Sequence, residues 1–291
     1  MDIAEYLSPR DLGRAVGLSE SSVRRWADDG RLRAERTAGG HRRIARAEAV
    51  RFIRETGLEL LRPDLLGFPR SEPSRGLASA PEAEALLAAL RASDTSAVRR
   101  MLVSAFLDGT PLSTLCDGPI RLALREIGFL WREGPAGIVQ EKRAVDACLH
   151  ALMEIRSAIP DRLAAPVALG GAVEGDPYIL PSIMTSVVLA DVGFRSLNLG
   201  PHVPSAALVS AAETYGPLLV WRCASIPGAG RSLRPEVRHF RSLAPDRRPG
   251  FIVGGAGFSS ADLPRGHGVE HLHSMAELAG FGRALLRGGR V

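Results

Sequence analysis

Ser21, Ser22, Arg24 and Arg25 surround Val23 and precede Trp26. On a helix, Val23 and Trp26 turn inward and the two hydroxyls and two guanidiniums are left on the free face. A hydroxyl reaches a phosphate or a base edge, and a guanidinium forks onto guanine, so this face suits the major groove of double-stranded DNA. A second basic group, Arg36, His41, Arg42 and Arg43, flanks Ala38-Gly39-Gly40. Carried on the exposed side of a hairpin, these cations would clamp phosphates. A fold serving only protein contacts is the competing reading of the same stretch.

The elements that must position these groups are legible around them. Leu12, Ala15 and Val16 recur at helical spacing, Gly17 ends that helix, and Ser19 caps the next. Together they spell a helix-turn-helix. Gly39-Gly40 between two short strands predicts a hairpin wing with positive φ at both turn positions. A further helix over Glu48 to Leu61, with Val50, Ile53 and Leu58 inward, closes a first domain over residues 1–61.

The chain of 291 residues carries a net charge of +5, and its early part, Arg24 to Arg54, holds most of a basic patch. With aromatics at 5% of residues, the core must be aliphatic. Cys116, Cys148 and Cys223 lie far apart, which excludes zinc-finger spacing and suits buried thiols in a reducing cytoplasm. No apolar run has the length of a membrane span, so no membrane contact is expected and the location is read as cytoplasmic.

Residues 62–81 are rich in Pro, Gly and Ser and read as a linker that lets the head swing. Residues 82–160 show four helical stretches with short connections, an antiparallel four-helix bundle. Asp94 or Ser93 caps the second stretch, and the third runs from Pro111 to Trp131. From Ala165 the period changes. Short strands at Pro166, Ser196, Leu218, Gly250 and Val269 alternate with helices near Leu180, Ser205, Leu233 and Ala276. That alternation over 165–291 predicts a doubly wound parallel five-stranded sheet, flavodoxin-like, with a ligand crevice at the strand C-termini. The whole is a multi-domain chain: winged helix-turn-helix head, four-helix bundle and α/β sheet domain.

RRWADDGRL followed by ERTAGGHRRI resembles the N-terminal DNA-binding domain of the MerR family. The bundle and sheet together resemble the cobalamin-binding half of CarH-type photoreceptor repressors, MerR-family regulators with a four-helix cap over a Rossmann-like domain. The resemblance implies an Asp-x-His-x-x-Gly loop after the first strand of the sheet, whose His is the lower cobalt ligand, oriented by the Asp. Here Asp176 stands at the Asp position, Tyr178 replaces the His, and Pro181 replaces the Gly. A phenol with a reference pKa of about 10 is a poor substitute for imidazole at neutral pH. Ser225 is a partial match to a later Ser-x-Leu, and Gly254-Gly255 keep a glycine pair that the fold itself can require. In the cap, the resemblance places Trp131 and Glu141 over the ligand and Lys142 where a His would be. Those residues mark either a retained cavity roof or a plug between bundle and sheet.

His267, His271 and His273 cluster near the end, with metal binding set against a polar loop at the sheet edge, and no metal site is expected. No nucleophile stands with a base at recognisable spacing, so an enzyme is not expected. The resulting expectation is a sequence-specific DNA-binding transcription regulator, working as a dimer or tetramer on a promoter or operator. It would use no cofactor and respond to an unidentified small molecule or protein partner. Two alternatives stay open: an adenosylcobalamin-dependent light-sensing repressor that manages without the usual His, and a corrinoid carrier of a methyltransferase.

Overall fold

The computed structural model describes residues 5–69, 81–228, 233–259, 263 and 268–288. The chain divides into two compact units, Met1–Pro160 and Asp161–Val291.

The first unit opens with β1 (Tyr6–Leu7), α1 (Pro9–Ala15), α2 (Glu20–Asp28), β2 (Glu35–Arg36), β3 (Arg42–Ala45) and α3 (Arg46–Thr56). Ser8 caps α1 and Ser19 caps α2, each hydroxyl accepting from the amide three residues on. β1, β3 and β2 form an antiparallel sheet in that order. Leu12, Ala15, Val23, Leu32, Ile44, Val50 and Ile53 are buried between the helices and this sheet. Trp26 is only half-buried; its ring packs on Phe52 with centroids 5.0 Å apart. The wing turn departs from expectation, because only Gly40 takes a positive φ, 79°. Thr37 N–H donates to His41 O (2.9 Å) and Gly40 N–H to Thr37 O (2.8 Å), which makes a three-residue loop needing one left-handed residue. α3 stops at Thr56, short of Leu61, because Gly57 at φ 66° provides a left-handed cap.

The segment expected to be a linker is partly folded. Pro63–Leu66 form a 3-10 turn, with Leu66 and Phe68 buried. Residues 70–80 lie outside the described residues. The Arg46 guanidinium stacks 4.1 Å from the Phe68 ring centroid, donates to Leu66 O, and reaches Ser157 Oγ at 3.2 Å. Arg54 lies 3.8 Å over the Phe106 ring. The head is therefore packed on the bundle through α3 rather than left to swing.

The bundle comprises α4 (Ala83–Arg91), α5 (Thr95–Leu107), α6 (Leu112–Leu115) continuing into α7 (Arg121–Ile127), and α8 (Pro135–Ser157). Asp94, not Ser93, caps α5, while Ser93 sits at φ 53°. The third helix is not continuous: a π turn over Cys116–Ile120 interrupts it at Pro119, which cannot donate to the helical ladder. Ala144, Ala147, Cys148, Ala151, Leu152 and Ile155 form the inward face of α8 as expected.

The second unit holds β4 (Val167–Ala172), α9 (Ile179–Val192), β5 (Arg195–Asn198), α10 (Ser205–Tyr215), β6 (Leu219–Cys223), α11 (Arg234–Ser242), β7 (Gly250–Gly254), β8 (Val269–Leu272) and α12 (Met275–Leu286). The parallel sheet runs β5-β4-β6-β7-β8. This is the doubly wound order in which the chain reverses direction between β4 and β6, so the strand C-termini there form the crevice. Its core is aliphatic with Phe240 and Phe251 edge-on at 5.4 Å.

Candidate DNA interface and ligand crevice

On the recognition face of α2, Ser21, Arg24 and Arg25 are exposed and Ser22 is half-buried. Ser19 Oγ contacts Ser21 Oγ at 2.8 Å and Ser22 Oγ at 3.0 Å, so the hydroxyls cluster at the helix N-terminus. Arg24 is held by Glu20 one turn back. Arg25 has no carboxylate partner among the described residues. In the wing, Arg36 and His41 are exposed. Two of the cations expected to be free for phosphate are engaged. Arg42 pairs with Asp28 at the end of α2, and Arg43 donates to Glu35 at 2.9 Å while stacking 4.2 Å over Tyr6. The structure brings all eight residues to one domain, and the Arg42–Asp28 pair is what local spacing could not reveal.

Glu48 was not singled out by the sequence. Its carboxylate accepts from Arg33 N (2.9 Å) and Arg51 Nε (2.8 Å), tying the turn before the wing to α3. Burial pushes this carboxyl up, but the Arg51 and Arg33 hydrogen bonds outweigh it and hold the group below the usual glutamate value.

At the crevice, Asp176 is buried. One carboxylate oxygen accepts from Tyr178 N at 3.0 Å and the other from Ser225 N. The carboxylate thus staples the loop after β4 to the loop after β6. The Tyr178 side chain is exposed and its backbone caps α9. Pro181 lies in the first turn of α9, where a missing amide costs nothing. Gly255 has φ 102°, and a Cβ there would stand 2.3 Å from Ala224 O, so the fold alone requires this glycine. Glu141 is half-buried beside exposed Lys142, with 3.6 Å between their charged atoms. Trp131 belongs to a 3-10 turn, Leu130–Glu133; its side chain lies outside the described residues.

A corrin held in the manner of the resemblance does not fit this loop. Where the resemblance has its lower-ligand His the chain has the phenol of Tyr178, and each oxygen of the Asp176 carboxylate, which would orient an imidazole there, already accepts a backbone amide. The loop after β5 approaches the same hub: His202 N donates to Asp176 O at 3.1 Å.

Beneath the crevice lies a buried ion pair that the sequence reading missed. Arg222 on β6 pairs with Glu236 on α11 at 2.8 Å, and donates to Ala172 O (3.1 Å) and Val203 O (2.7 Å). Ser205 donates to the same Glu236 oxygen at 2.9 Å. An arginine inside an apolar strand was the available signal. The ring centroids of His271, on β8, and His273, one residue past its end, stand 4.2 Å apart; His267 lies outside the described residues. Among the described residues no group of three metal-ligating side chains converges, and no helix is long and apolar enough to cross a membrane.

A family profile described as a helix-turn-helix domain matches residues 6–57. No curated protein matches the chain. Among solved structures, the monomethylamine corrinoid protein of Methanosarcina barkeri is similar, with a TM-score of 0.51 at 16% identity over 69% of this chain and 96% of that one. The methanol:cobalamin methyltransferase complex of the same organism (TM-score 0.41, 16% identity, 79% of this chain and 90% of that) is a slighter likeness. So is a cobalamin-binding protein of Desulfitobacterium hafniense (TM-score 0.38, 17% identity, 70% and 98%). The chain therefore joins a helix-turn-helix domain to a fold shared with a corrinoid protein.

Proposed function

We propose that this protein is a sequence-specific DNA-binding transcription regulator of the MerR type, acting in the cytoplasm as a homo-oligomer and without catalysis of its own. A single winged head reads one half-site, so specific binding needs two or more heads on a repeated site. The observation that supports the reading best is the union, in one chain, of an exposed recognition helix and basic wing with a sheet domain of the corrinoid-protein kind. The sheet domain is the sensor, and its signal acts by binding the DNA-competent and DNA-incompetent states unequally. Tyr178 argues that this signal is not cobalamin bound through the first loop, but another small molecule, another mode of binding, or a protein partner.

Selection from a random duplex pool by the full-length protein tests the reading. A recovered site with two related half-sites supports it; a pool with no enriched sequence at physiological salt sinks it. The likeness to a corrinoid protein favours a second reading, a corrinoid carrier. A red protein purified from cobalamin-fed cells that shifts no duplex would select that one.

A further inference from the structure

We infer that α11 and the turn after it form a second phosphate-binding surface, which grips double-stranded DNA by its backbone outside the half-site read by the head. The inference rests on the regulator reading above. Over residues 234–248 the chain carries Arg234, Arg238, Arg241, Arg247 and Arg248, and all five are exposed. Arg234, Arg238 and Arg241 recur at i, i+4 and i+7, so they form one stripe about 10 Å long on the helix. The opposite face of α11 belongs to the core, with Glu236, Val237 and Phe240 buried. Arg248 ties the following turn to the end of the helix: its Nε donates to Leu243 O and its Nη2 to Arg241 O, both at 2.9 Å.

The fold removes the acids that would neutralise this stripe. Glu236, the acid of the first turn of α11, is buried and committed to Arg222 and Ser205. Glu213 on α10 faces His239 at 3.7 Å. Asp246 is the exposed acid that the segment keeps. Among the described residues, Arg234, Arg238 and Arg247 pair with no carboxylate. Helix stability does not account for the stripe. Arg241 in the last turn suits the helix dipole, but Arg234 stands in the first turn, where a cation is unfavourable. Composition does not account for it either, since α9 and α10 carry no arginine. None of the exposed side chains over residues 234–248 is large and apolar, so nothing there would insert into a bilayer, and a polyanion fits better. The polyanion this chain is built to meet is DNA, through its helix-turn-helix domain. A duplex held by the heads raises the local phosphate concentration for any second cationic surface of the same assembly. Contacts at α11 go to phosphates alone: they add affinity and salt dependence and read no sequence.

The full-length protein is bound to its selected site in two duplexes, one trimmed to the site and one extended by about two helical turns, ~20 base pairs, on each side. The wild type is expected to bind the extended duplex at least fivefold more tightly. Arg234→Gln combined with Arg238→Gln is expected to lose that gain and to lower the slope of log K against log salt on the extended duplex by about two. Both residues are exposed, so the urea midpoint should stay at the wild-type value. Arg283→Gln with Arg287→Gln makes the same charge change on α12, which packs with α9 rather than with α10 and α11, and is expected to keep both the gain and the slope. Equal wild-type affinity for the two lengths overturns the inference, as does a wild-type slope in the α11 variant or an equal loss in the α12 variant. So does binding of phosphatidylserine vesicles that the α11 variant loses while it binds duplexes as the wild type does. The regulator reading fails separately. A chain that selects no site, yet binds random duplex with a salt slope that drops in the α11 variant alone, keeps this surface and loses that reading.

Discussion

Arg25 and Arg36 are the two arginines of the proposed DNA face that no carboxylate holds among the described residues, and their different positions separate their roles. Arg25 lies on the recognition helix, so Arg25→Ala is expected to cost about 1–3 kcal/mol on a selected site and to relax preference at one base position. Arg36 lies in the wing. Arg36→Ala is expected to weaken selected and scrambled duplexes alike and to reduce the slope of log K against log salt by about one. A mobility-shift series over salt measures both. The Arg42–Asp28 pair makes a third case, since exposed pairs are worth about 0–1 kcal/mol and a phosphate competes with Asp28 for the guanidinium. Asp28→Ala is therefore expected to strengthen non-specific binding; weaker binding would instead make the pair a strut between recognition helix and wing. Asp176 acts on stability. Asp176→Ala strands the amides of Tyr178 and Ser225, and two lost charge-assisted bonds predict a loss of about 3 kcal/mol or more in denaturant unfolding.

Among the elements, β6 and β8 each carry a group whose energetics depend on its neighbours. Arg222 and Glu236 are both fully buried, so removing either alone leaves a charge without its partner and is expected to cost about 3–5 kcal/mol. Replacing both, as Arg222→Met with Glu236→Leu, is expected to cost much less than the sum, and a double-mutant cycle in urea reads the difference. On β8, burial and the neighbouring His273 hold the His271 imidazole below its ordinary value of 6.5. The folded chain then binds fewer protons there than the unfolded chain, so stability is fully present above that pH and falls as the pH drops through it. Melting His271→Gln beside the wild type between pH 7.5 and 5.5 should show a smaller acid loss in the variant. The strands and helices of this sheet were legible because apolar runs and turn residues mark them locally. Observed Ser205–Tyr215, Gly250–Gly254 and Val269–Leu272 coincide with the reading from sequence. The ion pair was not legible, since Arg222 and Glu236 belong to different elements and only the crossover brings them together. The Asp176 staple was hidden for the same reason: its acceptors are used by backbone amides, and an amide has no signature in a sequence.

Across the whole molecule, the greatest departure from the sequence reading is that the head is not a free module. Composition alone makes residues 62–81 look like a tether, because Pro63 and Gly67 are common in tethers. Yet Leu66 and Phe68 are buried, and Arg46 and Arg54 project from α3 onto partners far along the chain. Such contacts have no local period to betray them. For the proposed regulator they would matter, since a head packed on the bundle is oriented by it, whereas a tethered head would report little of what the rest of the chain does. Inserting a specific protease site within residues 70–80 and cutting it tests this arrangement on the intact fold. The cut head is expected to co-elute with the remainder of the chain on gel filtration. Arg46→Ala combined with Arg54→Ala removes one hydrogen-bonded, stacked guanidinium and one cation–π contact, the latter kind worth about 0.5–2 kcal/mol when desolvated. After the same cut, that variant is expected to release the head, with the head still binding duplex DNA more weakly than the intact chain. Separate elution of the head from the cut wild-type protein would mean that α3 does not hold it, and that any signal from the sensor must reach DNA through oligomer assembly alone.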